Sequence, residues 1–197
     1  MIIGLTGGIA SGKSSVVKTL NELGIPVVDA DFLARQVVAP GSRGLDMIVE
    51  AFGSDILLDG ALNRKKMRDL VFSDTKALET LNGITHPLIR QAIVAALDAY
   101  RASERALAVL DAPLLLENKL TYLVDEVWVV ALDQDQQVRR LIARDKIDTD
   151  QAMAIIKRQM PLEEKLKSAQ VILDNNGSLE DLKQQVVSLV EERIKAC

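Results

Sequence analysis

The sequence predicts an α/β fold: a short parallel five-stranded sheet covered by helices on both faces, with a phosphate-binding turn after the first strand. Two observations carry this. Near-continuous apolar runs alternate with segments of helical periodicity, the pattern of strands buried on both faces. The first run, Ile2-Ile3-Gly4-Leu5-Thr6, then breaks into Gly7-Gly8-Ile9-Ala10-Ser11-Gly12-Lys13-Ser14, which fits G-x-x-x-x-G-K-[ST]. A chain of 197 residues, 48% hydrophobic and 26% charged, is enough for one well-buried domain and too short for two large ones.

The glycine-rich turn sits where its chemistry requires, after a strand and before a helix marked by Val16, Val17 and Leu20. Its glycines let the backbone curl so that successive N–H groups point inward, and the helix adds its positive N-terminal end. Lys13 can reach the β- and γ-phosphates, and the Ser14 hydroxyl can hold Mg²⁺. The competing reading, a turn that binds nothing, leaves eight matching positions and both flanks unexplained. A bound nucleoside triphosphate is therefore expected.

Gly24 closes the first helix, and Ile25-Pro26-Val27-Val28-Asp29 reads as a short buried strand. It delivers Asp29 and Asp31 to the strand's carboxyl end, where ligands of open α/β sheets collect. Residues two apart in a strand point the same way, so both carboxylates can serve a phosphoryl acceptor, one of them taking the proton of its hydroxyl. The alternative is that one aspartate, Asp29 above all, caps the next helix. From 32 to 103 the chain reads as mostly helical, with turns at Pro40-Gly41, Gly53-Ser54 and Asp59-Gly60. Within it Thr85 is expected to cap a helix with Pro87 in its first turn, and Leu88, Ile89, Ala92, Ile93, Ala96 and Leu97 form the apolar stripe.

Residues 106–111 form the expected third strand, 127–132 the fourth and 171–173 a short fifth ending at Asp174-Asn175-Asn176-Gly177. Ser178 with Asp181 starts a last helix whose Leu182, Val186, Leu189 and Val190 face inward. The whole chain then reads as a single domain. Its core is about 1–31, 104–134 and 169–197, with excursions at about 32–103 and 135–168 read as insertions over one site.

Composition excludes several classes. No run approaches the length of a membrane span, and the apolar start lacks a basic n-region and a cleavage site. The lone cysteine, Cys197, excludes a disulfide framework and suits a reducing cytosol. A net charge of −4 without a long basic block, and 3% aromatics, give nucleic acid nothing to grip. A GTPase would carry N-K-x-D before the last strand, but Asn118-Lys119-Leu120-Thr121 lacks the aspartate and Asp174-Asn175-Asn176-Gly177 comes too late.

Arg140 and Arg144, four apart on a helix after the fourth strand, can clamp transferring phosphate charge in a segment placed to close as a lid. Arg139 is better read as part of a solvated face. Asp111, ending the third strand, can touch Mg²⁺ through water or cap a loop; His86, the only histidine, reads as a helix-start residue, and Trp128 as core.

At this point the chain resembles one family, dephospho-coenzyme A kinase, over essentially its whole length. The resemblance is carried by Gly4-Leu5-Thr6-Gly7-Gly8-Ile9-x-Ser11-Gly12-Lys13-Ser14, by Asp29-Ala30-Asp31 with Ala34-Arg35, and by Asp59-Gly60, Leu62 and Arg64. His86-Pro87, Pro113-Leu114-Leu115-x-Glu117, Arg140, Arg144-Asp145, Gln159 with Lys165, and Asp174-Asn175-Asn176-Gly177 complete it. It implies a three-layer P-loop fold, nucleoside-monophosphate-kinase-like, whose two excursions are a helical acceptor-binding insertion and a lid. It also implies transfer of the ATP γ-phosphoryl group, with Mg²⁺, to the ribose 3′-hydroxyl of dephospho-CoA in the cytoplasm, the last step of coenzyme A biosynthesis.

The resemblance further implies that Asp31 orients or deprotonates that hydroxyl, alongside Lys13 and Arg140 as catalytic groups. Gly8, Ala10, Ser11, Gly12, Lys13, Ser14, Ser15 and Arg144 would hold the nucleotide, and Asn175 would lie near adenine. Asp29, Arg35, Arg64, His86 and Glu117 would line the acceptor side. Ala10 and Ser15 replace a frequent glycine and threonine, and Gln170 stands where the family usually has aspartate; neither Gln170 nor Arg158 is given a role. Two rivals remain: another small-molecule P-loop kinase resembling shikimate kinase, and a nucleotide-switched binder without phosphotransfer. Pro113-Leu114-Leu115 in place of a glycine-rich turn speaks against the first.

Overall fold

The computed structural model describes residues 1–103 and 105–196, so Cys197 lies outside the described residues. In chain order the first elements are β1 (Ile2–Gly7), α1 (Lys13–Glu22), β2 (Val27–Asp29), α2 (Ala30–Gln36) and α3 (Arg43–Phe52). The hairpin strands β3 (Leu57–Leu58) and β4 (Ala61–Leu62) follow, then α4 (Arg64–Ser73) and α5 (Thr75–Arg101). The chain closes with β5 (Ala108–Asp111), β6 (Glu126–Ala131), α6 (Gln134–Asp145), α7 (Thr149–Lys157), α8 (Leu162–Lys167), β7 (Val171–Asp174) and α9 (Leu179–Ala196). They fall into two compact units, Met1–Val28 with Ala99–Cys197, and Asp29–Asp98.

The first unit is built on a five-stranded parallel sheet in the order β2-β5-β1-β6-β7. Strand β1 is central and all six of its residues are buried, because both of its faces are covered. On one face Ile3, Leu5, Val109, Trp128, Val130 and Leu173 pack against Val16 and Leu20 of α1 and Leu182, Val186 and Val190 of α9. On the other, a Cβ added to Gly4 would sit 2.7 Å from Leu115 and 3.0 Å from Val124, so the missing side chain lets the segment after β5 lie against the strand. Helix α9 starts as expected: the Asp181 N–H donates to Ser178 Oγ (3.1 Å), and the Ser178 N–H donates to Asp181 Oδ2 (2.9 Å).

The second unit holds its own core of Val38, Ile48, Ile56 and Met67, with Val49, Phe52, Leu62 and Leu81 packed around it. Its hairpin turns on Asp59 and Gly60, both at positive φ (51° and 77°), as a two-residue turn matched to strand twist requires. The expected helix start at Thr85 is a correction. One helix, α5, runs through Pro87, and the Thr85 hydroxyl donates to the Leu81 carbonyl at 2.8 Å, four residues back in the same helix. Pro87 removes the donor owed to the Gly83 carbonyl, but Gly83 is exposed and that carbonyl can be hydrated. Leu81 and Ile84 pack into the core before the proline, and Ile93 and Leu97 are buried after it, so tertiary packing carries the helix across.

A clasp joins the last helix to the sheet. Arg193 donates from Nε and Nη2 to the two carboxylate oxygens of Glu126 (3.0 and 2.9 Å), and Trp128 Nε1 donates to the same group at 2.8 Å. Arg193 thereby holds the Glu126 carboxyl below its ordinary pKa, so the folded state favours the ionised form. The stabilisation is present above the unfolded carboxyl value, about 4.3, and is lost as pH falls through the lower folded value. Glu126→Gln is expected to cost about 1.5–3 kcal/mol at neutral pH. The gap between variant and parent should close in strong acid, as read from urea midpoints at the two pH values. A gap that does not change with pH would contradict the ionic account.

Candidate active site

The phosphate loop begins where β1 ends. Gly12, at φ +97°, is the N-cap of α1, and Ala10 is also left-handed (φ 59°). The tight curl is closed by the Ser11 N–H donating to the Gly8 carbonyl at 3.1 Å. Gly12 has a second reason to be glycine: an added Cβ would lie 2.1 Å from Asn175 Nδ2. Gly8 likewise would meet Gln137 Nε2 at 2.5 Å. Gly8 and the motif glycine Gly12 thus leave room for carboxamides of the protein itself beside the loop.

Three such carboxamides grip it. Asn175, fully buried, donates from Nδ2 to the Ser11 carbonyl at 2.6 Å. Gln137 of α6 donates to the Ile9 carbonyl at 3.1 Å, and the Ile9 N–H donates to Gln159 Oε1 at 2.7 Å. Arg140 Nη2 donates to the Asn175 carbonyl at 3.2 Å, which sets a guanidinium beside the loop near Gly12. Ser11 Oγ and Asn175 Oδ1 are buried without a protein partner, an uncommon arrangement that gathers at working sites.

Lys13, the first residue of α1, donates from Nζ to Asp111 Oδ1 at the end of β5, 2.5 Å away and largely buried. Ser14 follows, its residue exposed at the helix start. A serine hydroxyl and a carboxylate are hard oxygen donors, and Mg²⁺ takes few protein ligands because water and phosphate oxygens complete its shell. The residues present therefore fit that ion. Among the described residues no group of three or more His, Cys, Asp or Glu gathers, as an all-protein metal cage would need.

The remaining expected residues of this unit are engaged elsewhere. Glu117 Oε1 accepts from Lys165 of α8 at 2.6 Å; Lys165 is 1% exposed, and Glu117 Oε2 is buried without a protein partner. Arg144 makes a two-pronged bond to its neighbour Asp145 (2.7 and 2.9 Å), which raises the Arg144 pKa and lowers that of Asp145. Ser15 lies in the first turn of α1.

In the Asp29–Asp98 unit, the reading of the aspartate pair is corrected. The strand stops at Asp29 and helix α2 begins at Ala30, so Asp31 stands in a first helical turn and the two-residue strand period does not relate the carboxylates. Asp29 caps α2, accepting from the Phe32 N–H at 2.8 Å, with Arg35 at 3.9 Å. Helix wins here because an aspartate N-cap satisfies one of the helix's orphan N–H groups. Arg64 opens α4 after the Asn63 cap, and His86 lies exposed in mid-helix rather than at a helix start.

Gln137 leaves no mark in the sequence, because a lone glutamine on an amphipathic helix carries no signal; the structure buries it. Gln159, one of the residues that carry the resemblance, accepts from the Ile9 N–H. Asn175, expected near adenine, donates from Nδ2 to the loop backbone.

Comparison with known proteins finds relatives along essentially the whole chain. The family described as Dephospho-CoA kinase matches residues 1–181. A dephospho-CoA kinase of Carboxydothermus hydrogenoformans is 44% identical over 97% of this chain and 93% of its own. The solved dephospho-CoA kinase from Campylobacter jejuni superposes with a TM-score of 0.78 at 28% identity, covering 99% of this chain and 98% of that one. A shikimate kinase from Acinetobacter baumannii in complex with shikimate, at 17% identity and a TM-score of 0.52 over 97% of this chain and 93% of its own, shares the P-loop fold alone.

Gly12→Ala tests the loop geometry. The new Cβ meets both a left-handed φ and the Asn175 carboxamide, and the first of these alone costs about 1 kcal/mol. ATP affinity is expected to fall at least about tenfold with the helical content unchanged, as read by calorimetry and circular dichroism. Unaltered affinity would show that the loop does not need this close approach.

Proposed function

This chain belongs to the dephospho-CoA kinase family, and from that membership we propose the work of its residues. The reaction moves the γ-phosphoryl group of ATP to the ribose 3′-hydroxyl of dephospho-CoA, giving CoA and ADP. The observation that carries it is the loop after β1, a left-handed glycine at the N-terminus of α1 followed by a lysine anchored on Asp111. The N–H groups there and the positive helix end suit the ATP phosphates. Lys13 turns from Asp111 toward the β- and γ-phosphates, and Arg140 adds positive charge where the phosphoryl group passes. The Ser14 hydroxyl, and Asp111 through water, would hold Mg²⁺, which would supply neutralisation of phosphate charge.

Asp31 accepts the proton of the 3′-hydroxyl as that oxygen attacks the γ-phosphorus in line and ADP leaves. Asp29 contributes by fixing the start of α2, and with it the position of Asp31. Arg35, Arg64, His86 and Glu117 bind the acceptor, whose phosphates suit the two arginines. Residues 135–168 close over ATP and exclude water, which limits wasteful hydrolysis. A cytoplasmic setting belongs to the same reading, because ATP is drawn from that compartment.

Asp31→Asn separates this kinase from a mere ATP binder. It keeps size and hydrogen bonding and removes the base, whose loss is typically worth about 10²–10⁴-fold. ATP affinity should stay within about an order of magnitude of the parent, while CoA formation, followed by mass, falls at least about a hundredfold. Loss of ATP binding in Asp31→Asn with loss of turnover alone in Asp29→Asn would exchange the two roles. Normal turnover in both would overturn the mechanism.

A further inference from the structure

Ile9 is held by both of its backbone groups, and by side chains from one segment. Gln137 lies on α6 and Gln159 two residues beyond α7. One donates to the Ile9 carbonyl and the other accepts from the Ile9 N–H, at 3.1 and 2.7 Å. Gln137 is 7% exposed and is seated against Gly8, whose Cβ position lies 2.5 Å from Gln137 Nε2. Any side chain at position 8 would have to push the Gln137 carboxamide off its place, so loop and glutamine are fitted to each other.

The choice of carboxamide has a physical reason. A loop whose N–H groups must face inward has no phosphate to hold it before ATP arrives, and an unbraced glycine-rich turn samples many conformations. A carboxylate in place of Gln137 cannot donate to the Ile9 carbonyl, and it would set negative charge against incoming phosphate. A lysine would compete with Lys13 for that phosphate. A neutral group that donates at one position and accepts at the other holds the backbone and leaves the field of the site to Lys13, Arg140 and the helix end.

We propose that Gln137 and Gln159 are positioning residues for ATP: they pin Ile9 so that the phosphate loop keeps its nucleotide-ready curl when empty. This rests on the reading of the loop as the ATP-phosphate site. The side chains touch loop backbone, and their effect reaches the nucleotide only through it. Removing one neutral hydrogen bond should therefore weaken ATP binding by about threefold to tenfold and leave the acceptor alone.

The test uses Gln159→Leu, Gln159→Glu and Gln137→Leu in the intact protein. Without nucleotide, the Ile9 amide should exchange with solvent about tenfold faster in Gln159→Leu. It should stay protected in Gln159→Glu, because a carboxylate still accepts that bond. In both leucine variants KM for ATP should rise about threefold to tenfold, with kcat and the KM for dephospho-CoA within about twofold of the parent. Unchanged Ile9 exchange and ATP KM in Gln159→Leu would overturn the proposal. So would a joint rise of both KM values with a fall in melting temperature, the mark of a merely structural role. Ile9 exchange is read without ATP, so a parent that failed to bind ATP would sink the functional reading and leave this measurement standing.

Discussion

A phosphate loop must hold several backbone N–H groups turned the same way before any anion is present to reward them. In this protein that constraint is met by carboxamides reaching in from distant parts of the chain. Asn175 bonds a carbonyl 164 positions earlier, and Gln159 an N–H 150 positions earlier. The consequence runs back to the sequence, because Gly12 leaves room for Asn175 as well as taking a left-handed φ, and Gly8 leaves room for Gln137. It also runs forward to the sheet. Asn175 follows β7, and its N–H donates to the Ala131 carbonyl of β6 at 2.9 Å, so the strand order itself sets the brace.

Charge is distributed with equal economy. The groups that touch the loop backbone are neutral amides, and the ionised pair Lys13–Asp111 stands at the strand ends. Breaking such a partly buried pair leaves an uncompensated charge unless something else takes it, and an incoming phosphate offers Lys13 that replacement. A second largely buried ion pair near the strand ends, Lys165–Glu117, uses one carboxylate oxygen and leaves the second without a protein partner. It satisfies the ammonium first and keeps acceptor capacity in reserve.

Much of this was legible in the residues. The apolar runs gave all five strands of the sheet, the glycine motif gave the loop, and Ser178 with Asp181 gave the start of the last helix. What failed did so where a local rule met a competing one. Asp31 was placed by strand periodicity, but Asp29 caps a helix there and the period changes one residue later. Thr85 and Pro87 read as a helix start, but packing on both sides of the proline carries one helix through. Gln137 was invisible because its partner is a backbone carbonyl 128 positions away, and no pattern in one sequence marks such a pair.

The account's central claim is transfer to one hydroxyl of one acceptor, and two acceptor analogues test it most directly. The protein is incubated with Mg-ATP and either 2′-deoxy- or 3′-deoxy-dephospho-CoA, and the products are resolved by mass. The 2′-deoxy compound should gain a phosphoryl group as dephospho-CoA does, with one ADP formed for each, and the 3′-deoxy compound should gain none. Phosphorylation of the 3′-deoxy compound, or ADP release with no acceptor phosphorylated, would contradict it.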